Sequence, residues 1–319
     1  MTPVPKTLVV PRDGPTKRSD AIVRPGEGET LWLDLLAPTE ADLDELCKTF
    51  KFHPVTIDDI RSYDQRPKIE EYADHLFVVV HRLVVRTQPL EVESEEVHAF
   101  IGKNFLVTAH AHELPELEGV FSRLCDDETL ARRGPGFWLY LVSDRVATAG
   151  ALEIEKLATV VEEVEQDVLR GKGQTVLEHL LNLKRSLATA RRLISPQRDV
   201  FASLTKLGSA IVPDNTAVYF RDVYDLFVRA LEALDSQREL AGASLEAYFS
   251  MVSQRTNEVM KHLTLLSSIF LPLTFVTGFF GQNFDHLPFH SDALMWTGIV
   301  SCILLPAGML SWFRLKRWL

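Results

Sequence analysis

Apolar and polar residues keep different rhythms along this chain, and the change of rhythm divides it. Between residues 262 and 313 there is no Lys, Arg or Glu, and the only formal charges are Asp285 and Asp292. Two apolar runs, 263–280 and 294–313, flank the short stretch GQNFDHLPFHSD. Each run is close to the ~20 residues needed to cross a ~30 Å hydrocarbon core. The pattern predicts a first span over 262–281, a loop over 282–293, a second span over 294–313 and a basic tail over 314–319.

Upstream, apolar residues recur at steps of three and four: Phe220, Tyr224, Phe227, Leu231, Leu234, Ala241, Leu245, Phe249, Val252, Val259 and Leu263, with Arg238 and Thr256 as polar interruptions. No proline falls between Pro213 and Pro272, and Gly242 is the only glycine there. This periodicity predicts one continuous helix from Asn215 to Gly281, a stalk over 215–261 that runs on into the first span. At 1.5 Å per residue such a helix is on the order of 100 Å long. A stripe sustained over so many turns is the pattern of helix–helix association.

The remaining chain reads as a small α/β domain over 21–140 and a helical region over 141–214. The β-branched run FVVVHRLVVR at 77–86 predicts a strand. Ala99-Phe100-Ile101 and Phe105-Leu106-Val107-Thr108-Ala109 flank Gly102-Lys103-Asn104 and predict a hairpin. Helical spacing over 39–50 comes with Thr39 as N-cap and Asp42 in the first turn. Leu152, Val160, Val164 and Val168 predict one face of a helix that Gly171 and Gly173 end, and a second helix starts near Gln174 and meets Pro196. Residues 1–20, with prolines and mixed charges, read as a loose tail, and they lack an apolar core long enough for a signal peptide.

Charge fixes the expected orientation. Lys261 precedes the first span, Arg314, Lys316 and Arg317 follow the second, and the loop has no Lys or Arg. The positive-inside rule therefore puts both termini in the cytoplasm and the loop outside. Trp296, Trp312 and Trp318 lie near the ends of the second span, where interfacial aromatics sit. The net charge of −10 gives no basic footprint for nucleic acid. Three dispersed cysteines, Cys47, Cys125 and Cys302, form neither a disulfide framework nor a CxxC metal knuckle.

Catalytic patterns are weak. His110 and His112 have no third ligand at motif spacing, Gly26-Glu27-Gly28 lacks the features of a phosphate loop, and the acidic run 91–96 reads as a solvated strand end or turn. The first span carries the more telling pattern. Ser253, Asn257, Met260, Thr264, Ser267, Leu271, Thr274 and Gly278 follow at steps of three and four and share one side of a helix. Small and hydroxyl residues glue membrane helices together, and they also line pores; both readings fit the spacing. Pro272 frees a backbone carbonyl, for Ser268 or water to satisfy. Gly281 can end the helix, with Gln282 and Asn283 after it.

Residues 253–284, SQRTNEVMKHLTLLSSIFLPLTFVTGFFGQNF, resemble the pore helix of CorA-type magnesium channels, which ends in a Gly-Met-Asn signature. FHPVTIDD at 52–59, QRPKIEEY at 65–72 and YFRDVYD at 219–225 extend the resemblance, as does the order of elements, from about residue 30 to the end. The resemblance implies a homopentameric α+β membrane protein in a bacterial-type inner membrane, surrounded by lipid, with no organic cofactor and no enzymatic activity. It would pass Mg²⁺, and also Co²⁺ or Ni²⁺, along a pore lined by the first span. By position, Gly281, Gln282 and Asn283 would form the ion entrance. Asn257 and Thr274 would supply polar rings, with Leu271 and Gly278 on the same lining. Met260 and Leu263 match the hydrophobic constriction, where gating by dewetting operates. Asp59 and Asp222 match acidic positions of cytosolic regulatory Mg²⁺ sites between subunits. Gln282 stands where the signature has Met, and His286 and His290 occupy the loop. Those departures leave a Zn²⁺ transporter of the same superfamily, with or without proton coupling, as the alternative. A membrane-anchored sensor or enzyme is a third reading, although an anchor has no need of a polar stripe.

Overall fold

The computed structural model describes residues 4–171, 173–207, 211–282 and 291–316. The chain forms two compact units, Met1–Leu245 and Glu246–Leu319.

The first unit is built on a seven-stranded sheet. Its strands are β1 (Lys6–Pro11), β2 (Lys17–Ser19), β3 (Glu29–Leu36), β4 (Lys68–Glu71), β5 (His75–Thr87), β6 (Leu90–Gly102) and β7 (Phe105–His110), in the order β2-β1-β3-β7-β6-β5-β4. Every pairing is antiparallel except β3 with β7. The β6–β7 hairpin turns where the sequence places it, at Gly102. A Cβ there would lie 2.3 Å from the Phe105 ring, so only glycine fits.

Helices α1 (Glu40–Phe50) and α2 (Pro54–Ser62) lie between β3 and β4 in the chain. Thr39 caps α1, as the sequence predicts, and the structure adds a reciprocal capping box with Asp42. Their apolar residues Leu43, Leu46, Phe50, Phe52, Ile57 and Ile60 pack with Phe77, Val79, Phe100 and Val107 of the sheet. Phe52 stacks on Phe100 at 4.0 Å between ring centroids. Helices α3 (Pro115–Asp126), α4 (Glu128–Ala131), α5 (Pro135–Leu169) and α6 (Gln174–Leu204) follow the sheet, and α5 and α6 pack against it.

Four expectations need correction. Residues 6–11 and 17–19 are strands rather than a loose tail: Leu8 and Val10 are buried as β1 pairs along its whole length with Glu29–Asp34 of β3, and flanking prolines hide that short alternation. The buried stripe of α5 is Ile154, Leu157, Val161, Val164 and Val168, whereas Leu152 is 57% exposed, because an eight-residue step from 152 to 160 drifts off one helical face. Helix α6 runs through Pro196 to Leu204, with the Gln197 side chain donating to the Leu193 carbonyl and accepting from the His81 N–H. Glu95 and Glu96, in the acidic run, are structural: Glu95 pairs with Arg82, while Glu96 accepts from the Gln65 N–H and contacts His98.

Helix α7 is one uninterrupted element, Asp214–Phe280, within one residue of the predicted limits. In the first unit its stripe is buried at Phe220, Phe227, Leu231, Leu234 and Ala241, and Phe201 of α6 stacks on Phe227 at 5.2 Å. Beyond Leu245 the same stripe is bare, with Phe249, Val252, Val259 and Leu263 all exposed. In the second unit α7 packs against α8 (Asp292–Leu315), which Ser291 caps. The most apolar 18-residue window of each of these two helices is only 6% buried. That is the reverse of a soluble core and the condition of helices solvated by lipid.

Candidate functional site

Two faces of α7 separate in the second unit. One face meets α8: Leu265 is 5% exposed, Ser268, Ile269, Pro272, Leu273, Val276 and Phe280 are partly covered, and Gly298 of α8 sits against the Phe280 ring. The other face carries Ser253, Asn257, Met260, Thr264, Ser267, Leu271, Thr274 and Gly278, and every one of these is exposed in the chain. The polar stripe is therefore not the surface that joins the two membrane helices of one chain. Leu263 is exposed as well, on the flank of that stripe.

The stripe presents acceptors. Thr264 Oγ1 donates to the Met260 carbonyl and Thr274 Oγ1 to the Phe270 carbonyl, each at 2.8 Å. With its hydrogen committed to the backbone, each hydroxyl turns lone pairs outward. The shell of a hydrated cation donates hydrogen bonds, so outward lone pairs and the Asn257 amide oxygen suit it. Nearer the start of the stripe, Ser250, Ser253, Gln254, Asn257, Glu258 and Lys261 line a shallow polar groove.

Pro272 removes the N–H that the Ser268 carbonyl would accept. The Ser268 hydroxyl does not help that carbonyl, because it is bonded to the Thr264 carbonyl at 2.7 Å. Gly281 follows the last helical residue and its N–H reaches the Thr277 carbonyl at 2.9 Å. A Cβ at Gly281 would stand 3.0 Å from the Thr277 oxygen, which explains the glycine. Gln282 is exposed. Asn283, the loop histidines His286 and His290, and the basic residue Arg317 lie outside the described residues.

The two acidic candidates differ in setting. Asp59 of α2 is 13% exposed and bonded to Lys68 of β4 at 2.7 Å. Asp222 of α7 is exposed. Its charge acts on a carboxylate that sequence patterns do not reveal, Asp144 of α5, whose pKa is pushed up by burial, pulled down by Arg145 and pushed up again by the negative charge of Asp222. Neither Asp144 nor Asp222 forms an ion pair with a described residue. Among the described residues Asp59 and Asp222 share no hydrogen-bonding or ionic partner. Among the described residues no three His, Cys, Asp or Glu side chains converge as a metal site. His110 is not a free ligand either, since its ring nitrogens meet the His112 carbonyl at 2.6 Å and Asp34 at 3.2 Å.

Comparison with known proteins agrees with this anatomy. Residues 27–317 match the family model described as CorA-like Mg²⁺ transporter protein. A Bacillus subtilis protein named for metal-ion transport, YfjQ, is 32% identical over 90% of this chain and 89% of its own. The zinc transport protein ZntB of Yersinia pseudotuberculosis is 24% identical over 94% of this chain and 90% of its own. The complete structure of the CorA magnesium transporter from Methanocaldococcus jannaschii superposes with a TM-score of 0.86 at 21% identity, covering 100% of both chains.

Proposed function

The chain belongs to the family of CorA-like Mg²⁺ transporter proteins and is a divalent-metal transporter, and from that premise we propose that it conducts Mg²⁺ through a pore lined by the exposed stripe of α7. The observation that carries this reading is the separation of faces: α8 covers one side of α7 and leaves the acceptor-bearing side bare. A ring of copies of the chain, five by resemblance, brings those sides together around an axis. The hydrated ion enters past Gln282 and Asn283, meets acceptor rings at Thr274 and Asn257 with Leu271 and Gly278 between the polar positions, and passes a constriction at Met260 and Leu263. Mg²⁺ sheds water reluctantly, so groups that hydrogen-bond its shell serve as a first selectivity station. Both termini lie on the cytoplasmic side.

In this reading Asp59 and Asp222, joined by Asp144, bind regulatory Mg²⁺ from the cytoplasm. Support comes from Asp144, a half-buried carboxyl whose pKa is raised by burial and by repulsion from Asp222 against the pull of Arg145, and neither aspartate holds an ion pair with a described residue. A divalent ion offsets that repulsion, and its loss favours separation of the elements that carry the charges.

A second reading, Zn²⁺ transport, is favoured by Gln282 in place of the signature Met and by the loop histidines, which are borderline ligands. Flux into liposomes decides between the two. Mg²⁺ uptake that ignores a pH gradient and is lost in Asn283→Ala is the expected outcome, whereas Zn²⁺ uptake that tracks the proton gradient would replace the first reading with the second.

A further inference from the structure

Asp59 is not a free carboxylate. The chain leaves α2 at Ser62 and turns through Gln65, Arg66 and Pro67 into β4, which brings Lys68 to it. The Lys68 ammonium donates to Asp59 Oδ2 at 2.7 Å and to Glu70 Oε1 at 2.7 Å. The second oxygen of Glu70 accepts from the Tyr72 hydroxyl at 2.8 Å. The Lys68 side chain is 26% exposed, on the outermost strand of the sheet. Burial works to lower the Lys68 pKa, but its bonds to Asp59 and Glu70 outweigh burial and raise it. The ammonium is therefore a fixed positive charge at neutral pH, shared by two carboxylates.

We infer that Lys68 is an internal counter-ion that competes with a divalent cation for Asp59 and so sets the concentration at which the cation acts. This rests on the reading of Asp59 as a regulatory ligand. A cation approaching Asp59 meets a carboxylate whose Oδ2 already holds an ammonium, and it must compete with that ammonium to bind. Mg²⁺ takes one or two protein carboxylates and keeps several waters, so displacement at a single aspartate suffices. Without Lys68, Asp59 and Glu70 face each other uncompensated and attract a cation more strongly. A plain structural ion pair behaves differently: its removal lowers stability and leaves the cation response unchanged or weaker.

The test uses the full-length protein in detergent, with melting temperature followed as MgCl₂ is added. Lys68→Met is expected to lower the half-effective Mg²⁺ concentration by about tenfold, equivalent to about 1.4 kcal/mol. Lys68→Arg keeps the charge and is expected to titrate like the wild type. Should Lys68→Met melt too low to titrate, Mn²⁺ binding followed by electron paramagnetic resonance in the cold reads the same shift. Asp59→Ala separates the two ideas. If it titrates like the wild type, the regulatory reading of Asp59 is wrong. If it weakens the response but Lys68→Met does not strengthen it, the counter-ion role is wrong and the regulatory reading stands.

Discussion

Asp144 shows what a single side chain adds to this protein. Burial raises its pKa first, and the carboxylate of Asp222 raises it further. A carboxyl group whose folded pKa is raised contributes stability that is fully present below its unfolded pKa and is lost as pH rises through the folded value. Its ionised form at neutral pH is thus unfavourable in the fold until a cation answers it. Asp144→Asn is expected to raise the melting temperature at pH 7.5 without divalent ions by on the order of 2 °C. The gain should shrink as pH falls and vanish below the ordinary aspartate pKa of about 3.9, where the carboxyl is protonated both folded and unfolded, and the variant should respond less to Mg²⁺. An unchanged Mg²⁺ response would remove Asp144 from the acidic site. No motif signals this residue, because its role comes from the approach of α5 to α7, which is tertiary. Asp59 and Asp222 stand in recognisable motifs, but the sequence does not disclose their different settings. Lys68 lies in QRPKIEEY, yet its contact with Asp59 depends on the turn between α2 and β4.

Among the elements, the helices were the most legible. A rhythm of three and four from Phe220 to Leu263, with no proline before Pro272, leaves the 67-residue α7 little room to end elsewhere, and Ser291 gives α8 its start. Short strands were less so: β1 has six residues, and its burial depends on β3 lying beside it. Helix α6 continues past Pro196, and its packing on β5 and β6 offsets the local penalty of a proline. The pairing of α7 with α8 hangs on one small residue. A Cβ on Gly298 would stand 3.2 Å from the Phe280 ring. Gly298→Leu adds three further heavy atoms at that contact, and overpacking of this kind costs about 1–3 kcal/mol. The variant should melt lower in detergent while the soluble unit keeps its circular dichroism. A wild-type melting temperature would mean that the two helices do not need this close approach.

At the scale of the whole molecule, two surfaces of α7 are left exposed among the described residues: the apolar stripe beyond Leu245 and the polar stripe of the membrane span. A bare polar stripe facing lipid is unfavourable, because its acceptors would find no donors there. The proposed assembly would relieve both surfaces at once, with the apolar stripes supplying contact between copies and the polar stripes enclosing water. Five copies give a particle of five times the 36.1 kDa of the chain. The placement of the stripe can be tested without assuming that number. With Cys47, Cys125 and Cys302 replaced by serine, single cysteines are introduced at Leu271, on the stripe and 73% exposed, and at Leu266, off the stripe and 55% exposed. Exposure in the chain is similar, so the difference lies in what each position faces in the assembly. A methanethiosulfonate reagent bearing a fixed positive charge should reach Leu271→Cys from the water of a pore and reduce Mg²⁺ flux by about tenfold, or about 1.4 kcal/mol in apparent barrier. The same reagent should leave Leu266→Cys conducting, since a thiol in lipid stays protonated and unreactive. Equal block at both positions would show that α7 is turned differently about its axis, and would send the search for the ion pathway to another face of the same helix.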